Sequence, residues 1–140
     1  MSTTVGTTHV SKKTLWTGRI LSALPVLLFF FTMAFALLNP AAASQGFAHY
    51  GYPSGAMLGI TIAELASAIL YAIPRTAVLG AILMTGYLGG ATATHVRVGE
   101  PFYLPIIVGA VVWIGLYLRD ERLRALIPLR SLSNGANSQT

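Results

Sequence analysis

Glu64 is where chemistry in this chain begins. It is the single charged side chain in the apolar run from Ser54 to Ile73, and a carboxylate in hydrocarbon is costly enough that it normally meets a partner or a water-filled pocket. So placed, a carboxyl group can take up and release a proton, or hold one helix against another through a hydrogen bond. Ala56, Ile60, Ala68 and Tyr71 continue its row at helical spacing, and Gly55, Gly59, Ala63 and Ser67 fall four apart beside it. Four small residues in line form a smooth ridge that admits a neighbouring helix closely. This spacing turns Glu64 towards protein and away from lipid.

Pro74 and Arg75 leave almost no loop before the next apolar run, so the two runs around them are antiparallel neighbours. Gly86 and Gly90 supply the matching small-residue surface, with Gly80, Gly89, Ala91 and Ala93 adding further places of close approach. Folding the hairpin at Pro74 sets Glu64 opposite Thr85 to Tyr87, the expected hydrogen-bond partners. His95 falls about eight to ten residues further out, about 12 to 15 Å at helical rise, and would line the outer mouth of a pocket leading down to Glu64. The candidate ligand-binding set is therefore Tyr87, Thr85, His95, Arg97 and Tyr71, with Glu64 as a proton relay. Arg97 and Glu100 form either an exposed pair of little energetic value or part of a polar mouth that attracts an anionic or quinone-like head group. No metal site is expected, and the absence of cysteine excludes thiol relays, iron–sulfur ligation and thiolate zinc sites.

The elements that must position these groups follow from composition. Of 140 residues only 9% are charged and 54% are hydrophobic, outside the range of an ordinary soluble domain. Four apolar stretches, at about 16–38, 54–73, 76–96 and 102–118, are each about long enough to cross a hydrocarbon core. The expected fold is all-α: an integral membrane four-helix bundle over 15–118, preceded by an unstructured segment 1–14. A short interfacial helix over 119–128, apolar on one face and arginine-rich on the other, and an unstructured tail 129–140 follow it. Eight of the nine Lys and Arg residues, all but Arg97, share one side, which places both termini in the cytoplasm by the positive-inside bias. The formal charge of +5 thus sets topology; the basic residues form no aromatic-interleaved patch for nucleic acid.

Within the first stretch Pro25 predicts a bend, and Thr32 is the only polar side chain of the outer half. A basic start, an apolar run and Ala41-Ala42-Ala43-Ser44 imitate a signal peptide, but the run is longer than the about 7 to 15 residues of a signal core. The connection from Asn39 to Pro53 reads as an outer loop. Its His49, Tyr50 and Tyr52 serve as interfacial anchors or as a lid over a cavity between the helices.

Three pieces of the chain resemble the bacterial DoxX-like proteins. They are Gly59-Ile-Thr-Ile-Ala-Glu64-Leu65; Leu70 to Leu83 with Thr85-Gly-Tyr-Leu-Gly-Gly-Ala-Thr-Ala-Thr-His-Val-Arg97; and Trp113, Leu116 to Asp120 and Leu123 to Leu129. The likeness covers about residues 15 to 130. It implies a four-helix inner-membrane protein and singles out Glu64 and His95 as family-pattern positions. The wider DoxX group is linked to a membrane subunit of thiosulfate:quinone oxidoreductase, and distant relatives act as membrane chaperones or cargo receptors.

Two functions from different classes are consistent with these residues. In the first, the chain is a redox-associated accessory subunit in the lipid bilayer, in a membrane complex with a protein partner. It binds quinone or another small lipophilic ligand between the second and third apolar runs, and is not a stand-alone enzyme. In the second it is a scaffold or assembly factor, with Glu64 fixing helix register. Proton-coupled transport would need a homo-oligomer, because one ionisable group and four helices are too few in a monomer.

Overall fold

Asn39 and Pro40 end one helix and begin the next. The computed structural model describes residues 11–127, which form six helices and no strand: α1 (Lys12–Leu38), α2 (Pro40–His49), α3 (Ala56–Ala72), α4 (Ala77–Val98), α5 (Tyr103–Arg119) and α6 (Glu121–Leu126). The segment expected to be an outer loop is therefore largely helical. Pro40 sits in the first turn of α2, where its missing N–H costs nothing and its fixed φ suits a helix, and the three alanines that follow are the strongest helix formers. The unstructured segments expected at 1–14 and 129–140 lie outside the described residues except for 11–14, and there α1 already begins at Lys12.

The other boundaries have local causes. At the α3–α4 turn the Thr76 hydroxyl donates to the Leu70 carbonyl at 2.8 Å. Gly99 ends α4 in the left-handed conformation, φ 74°, which glycine adopts without a Cβ penalty. Pro105 lies buried in the first turn of α5, and Asp120 caps α6 by accepting from the backbone N–H groups of Arg122 and Leu123.

α1 packs on α3 and α5, and α4 packs on α3 and α5. Phe29, Ala68, Tyr71, Ala81, Met84, Val112 and Leu116 fill the space between them. Outside, Ile20, Leu24, Leu27, Phe31, Leu58, Leu79, Ile82, Ile107 and Ile114 are exposed, an apolar surface far larger than water tolerates. α1 and α4 are long and apolar enough to cross a membrane; α3 and α5 are shorter apolar helices.

Of the glycines expected to admit a neighbouring helix, Gly80 does so; the other close approaches come at Gly18 and Gly115, which the spacing does not pick out. A Cβ at Gly80 would overlap the Tyr71 backbone, one at Gly18 would stand 2.8 Å from the Arg119 nitrogen, and one at Gly115 would stand 2.8 Å from Ser22 Oγ. At Gly55, Gly59, Gly86, Gly89 and Gly90 a Cβ would meet nothing within 4 Å. The α3–α4 contact is tight near the turn, through Ala68, Tyr71, Gly80 and Ala81, and Ser67 is buried there. Further out a cavity separates the two helices, and Ala63, Gly86 and Gly90 line it.

Candidate functional site

That cavity has a volume of about 570 Å³ and is walled by α1, α2, α3 and α4, within the usual size of a small-molecule site. Most of its lining is apolar: Met33, Phe35 and Ala36 from α1, Ala42, Ala43 and Phe47 from α2, Ile60 and Ala63 from α3. The polar groups are few. Thr32, Thr61, Glu64, Tyr87, Thr94 and His95 reach it from α1, α3 and α4, with Tyr50 and Tyr52 at its α2 side.

Glu64 is only 8% exposed, and its partner is Thr32, whose hydroxyl donates to Oε1 at 2.5 Å. Thr32 has one proton and a second acceptor, the Phe29 carbonyl, at 2.9 Å. The hydroxyl can therefore donate to Glu64 or, when Glu64 is protonated and donates instead, turn to Phe29. Tyr87 lines the same cavity as Glu64 and packs its ring on Phe29 at 5.2 Å.

The far side of the cavity is closed by α2 and the turn after it, strapped to the end of α4. Thr94 donates to the Gly90 carbonyl, so the bond of 2.6 Å between Tyr52 and Thr94 has the tyrosine as donor. Arg97 donates to the Tyr50 carbonyl and lies over the Tyr52 ring at 5.9 Å. Glu100 accepts from the Tyr50 hydroxyl at 3.0 Å and pairs with His49 at 2.9 Å. The His49 bond, then the Tyr50 bond, hold the Glu100 carboxyl below its ordinary value of 4.5. Burial, then the Glu100 bond, push the Tyr50 phenol above 10.0, so it remains a donor. The His95 ring lies tilted against Tyr50 at 5.3 Å, and its Nδ1 lies 2.7 Å from the Ala91 carbonyl. A carbonyl only accepts, so Nδ1 carries hydrogen and Nε2 of the neutral ring is an acceptor.

The residues singled out by spacing separate into three places. Glu64, Tyr87 and His95 share the cavity with Ala63, Gly86 and Gly90. Arg97 sits behind the rim, engaged with Tyr50 and Tyr52, and Glu100 pairs with His49 in its stead. Thr85, which hairpin depth pairs with Glu64, instead donates to Ala81 and accepts from Trp113 Nε1 at 2.9 Å. Tyr71 is fully buried at the other end of the molecule, its hydroxyl donating to the Val112 carbonyl at 2.7 Å with Ser22 Oγ at 3.1 Å. Arg119 donates to its carbonyl at 2.8 Å and covers its ring. The causes differ: rotation of α4, which spacing leaves free, turns Thr85 towards α5, whereas Tyr71 keeps the row of Glu64 but lies two turns further along α3, too deep to reach the cavity. Thr32 and Thr94 were outside the expected set. A lone hydroxyl in the outer half of an apolar helix marks Thr32, but nothing in the sequence pairs it with Glu64.

A family model described as the DoxX-like family matches residues 20–115. Searches of the curated proteins and of the solved structures return no match. With a match over most of its length and helices apolar enough to cross a bilayer, the chain is a membrane protein and belongs to the DoxX-like family.

Proposed function

We propose that this protein is a multi-pass protein of the bacterial inner membrane whose outer-half cavity binds a small lipophilic molecule with a polar, quinone-like head group. α1, α3, α4 and α5 form the membrane-embedded four-helix bundle. Among the described residues, Lys12, Lys13, Arg19, Arg75, Arg119, Arg122 and Arg124 gather at the end that holds the start of α1, the α3–α4 turn and α6, and Arg97 alone lies at the other. This asymmetry supports cytoplasmic termini.

One observation carries the ligand reading: an apolar cavity of about 570 Å³ with a single buried carboxyl group on its wall. A ligand there would meet Glu64 and Tyr87 with its head group and the alanine and phenylalanine wall with its apolar part. Glu64 can exchange a proton with it, and the Thr32 hydroxyl follows by turning between Glu64 and the Phe29 carbonyl. The chain then acts as an accessory subunit in a quinone-linked membrane complex. The test is to purify the protein from its own membrane and analyse co-extracted lipids. A quinone enriched with wild type and lost with Glu64→Gln supports the proposal; equal recovery from both proteins, or none from either, defeats it.

A second reading has its own observation. The Thr32–Glu64 bond ties α1 to α3, as a register-fixing contact in a scaffold or assembly factor would. Glu64→Gln would then lower thermal stability and leave the lipid content unchanged.

A further inference from the structure

At the end of the molecule remote from the cavity, α5 and α6 border a second, open hollow of about 250 Å³. Trp113, Ile114, Tyr117 and Leu118 wall it on one side, Leu123 and Ile127 on the other. Such a lining suits hydrocarbon and offers water few partners. Arg124 follows the wall residue Leu123 in the chain and is bonded to another wall residue, Leu118. One of its terminal nitrogens donates to the carbonyl of Leu118 at 3.1 Å, and its Nε is buried with no hydrogen-bond partner. The Nε of Arg119, the next residue along α5, is buried and unpartnered too.

Neither guanidinium has a carboxylate. The one ion pair among the described residues joins His49 to Glu100 at the other end. Asp120 is engaged by the first backbone N–H groups of α6, and Glu121 is exposed. A half-buried cation without a counter-anion is unfavourable, and a guanidinium prefers the planar, forked recognition of phosphate or carboxylate.

We propose that this hollow binds one anionic phospholipid, with an acyl chain against Trp113, Tyr117 and Ile127 and the phosphate on Arg124. The occupant follows from complementarity: an apolar slot beside an unpaired cation, at the edge of lipid-facing helices, matches a molecule that carries an anion next to a hydrocarbon chain. Inorganic phosphate would leave the slot empty, and a zwitterionic lipid would bring its own cation to Arg124. Anionic lipids are enriched in the leaflet that basic juxtamembrane segments face. The proposal rests on the membrane-spanning reading above but not on the ligand of the outer cavity.

The experiment is native mass spectrometry of the purified full chain in micelles doped with phosphatidylglycerol or phosphatidylcholine of the same chain length. One phosphatidylglycerol per chain is expected, preferred by about fivefold, the factor that one basic residue near the surface contributes. Arg124→Gln abolishes the preference, whereas Arg122→Gln, which removes the same charge from an exposed position, preserves it. Ile127→Asp, at a half-exposed wall of the hollow, also abolishes it and carries the test if the Arg124 variant does not fold. Glu64→Gln leaves it intact, which separates this site from the cavity. Equal retention of the two lipids, equal losses in the Arg122 and Arg124 variants, or displacement by inorganic phosphate would overturn the proposal.

Discussion

The Thr32 hydroxyl of α1 lies 2.5 Å from Glu64 Oε1 of α3, so the acid inside the apolar helices is held by a helix remote from it in sequence. Both groups line the cavity, and a change at Thr32 therefore acts on stability and on the ligand site together.

Thr32→Val keeps the shape and removes the donor. Hydrogen bonds between membrane helices contribute about 1 kcal/mol, and the variant should lose about that much in reversible unfolding. Because an amide still accepts from threonine, Glu64→Gln should cost less. A double-mutant cycle of Thr32→Val with Glu64→Ala should give a coupling of about 1 kcal/mol; strict additivity would mean that the bond contributes nothing.

Glycine substitutions should sort by contact and not by spacing. Gly80→Ala drives a Cβ into the Tyr71 backbone, and overpacking of that kind costs about 1–3 kcal/mol. Gly59→Ala meets open space and should stabilise α3 by up to about 1 kcal/mol through helix propensity. Gly86→Ala and Gly90→Ala should fold normally, but their methyl groups project at the cavity wall and should reduce ligand occupancy. Thermal unfolding and lipid recovery on the same four variants check the whole ordering.

Why the glycines mislead shows what a sequence can and cannot carry here. Uninterrupted apolar stretches and the Pro74–Arg75 turn make α1, α3, α4 and α5 legible, because the length of an apolar run and chain connectivity are read from residue type alone. Glu64 is legible for the same reason: it is the only charge in its run. Small-residue spacing, by contrast, says that a close approach is permitted without saying at what depth a neighbour arrives. In this fold the approach comes at Gly80, as expected, and at Gly18 and Gly115, but not at Gly59, Gly86 or Gly90. Pro40 is ambiguous in the same way, since proline ends one helix and begins another, and so α2 and its wall of the cavity are hidden. The side-chain pairs Thr32–Glu64 and Tyr52–Thr94 join separate helices or loops, and no local rule supplies them.

Tyr71→Phe tests whether that residue belongs to the ligand site or to the packing of the opposite end. Its hydroxyl bonds the Val112 carbonyl, so the variant should lose about 1 kcal/mol of stability, the usual net value of such a bond. Recovery of any cavity ligand should stay at the wild-type level. A fall in ligand with unchanged stability would return Tyr71 to the site.

The strap over the cavity should loosen in acid. Glu100 holds α2 through His49 and Tyr50, and these bonds place its carboxyl below 4.5 in the folded protein. A depressed carboxylate contributes its stabilisation fully above the unfolded value and loses it as pH falls through the folded value. Amide exchange in Pro40–His49, corrected for the intrinsic pH dependence, should therefore accelerate below 4.5, while the amides of α3 around Ala68 stay protected. Glu100→Gln should exchange quickly in α2 at every pH. His49→Ala should move the transition closer to 4.5 than Tyr50→Phe does, because the His49 bond is the larger cause of the shift. If α2 and α3 lose protection together, the strap is not a separate unit, and acid acts on the whole fold.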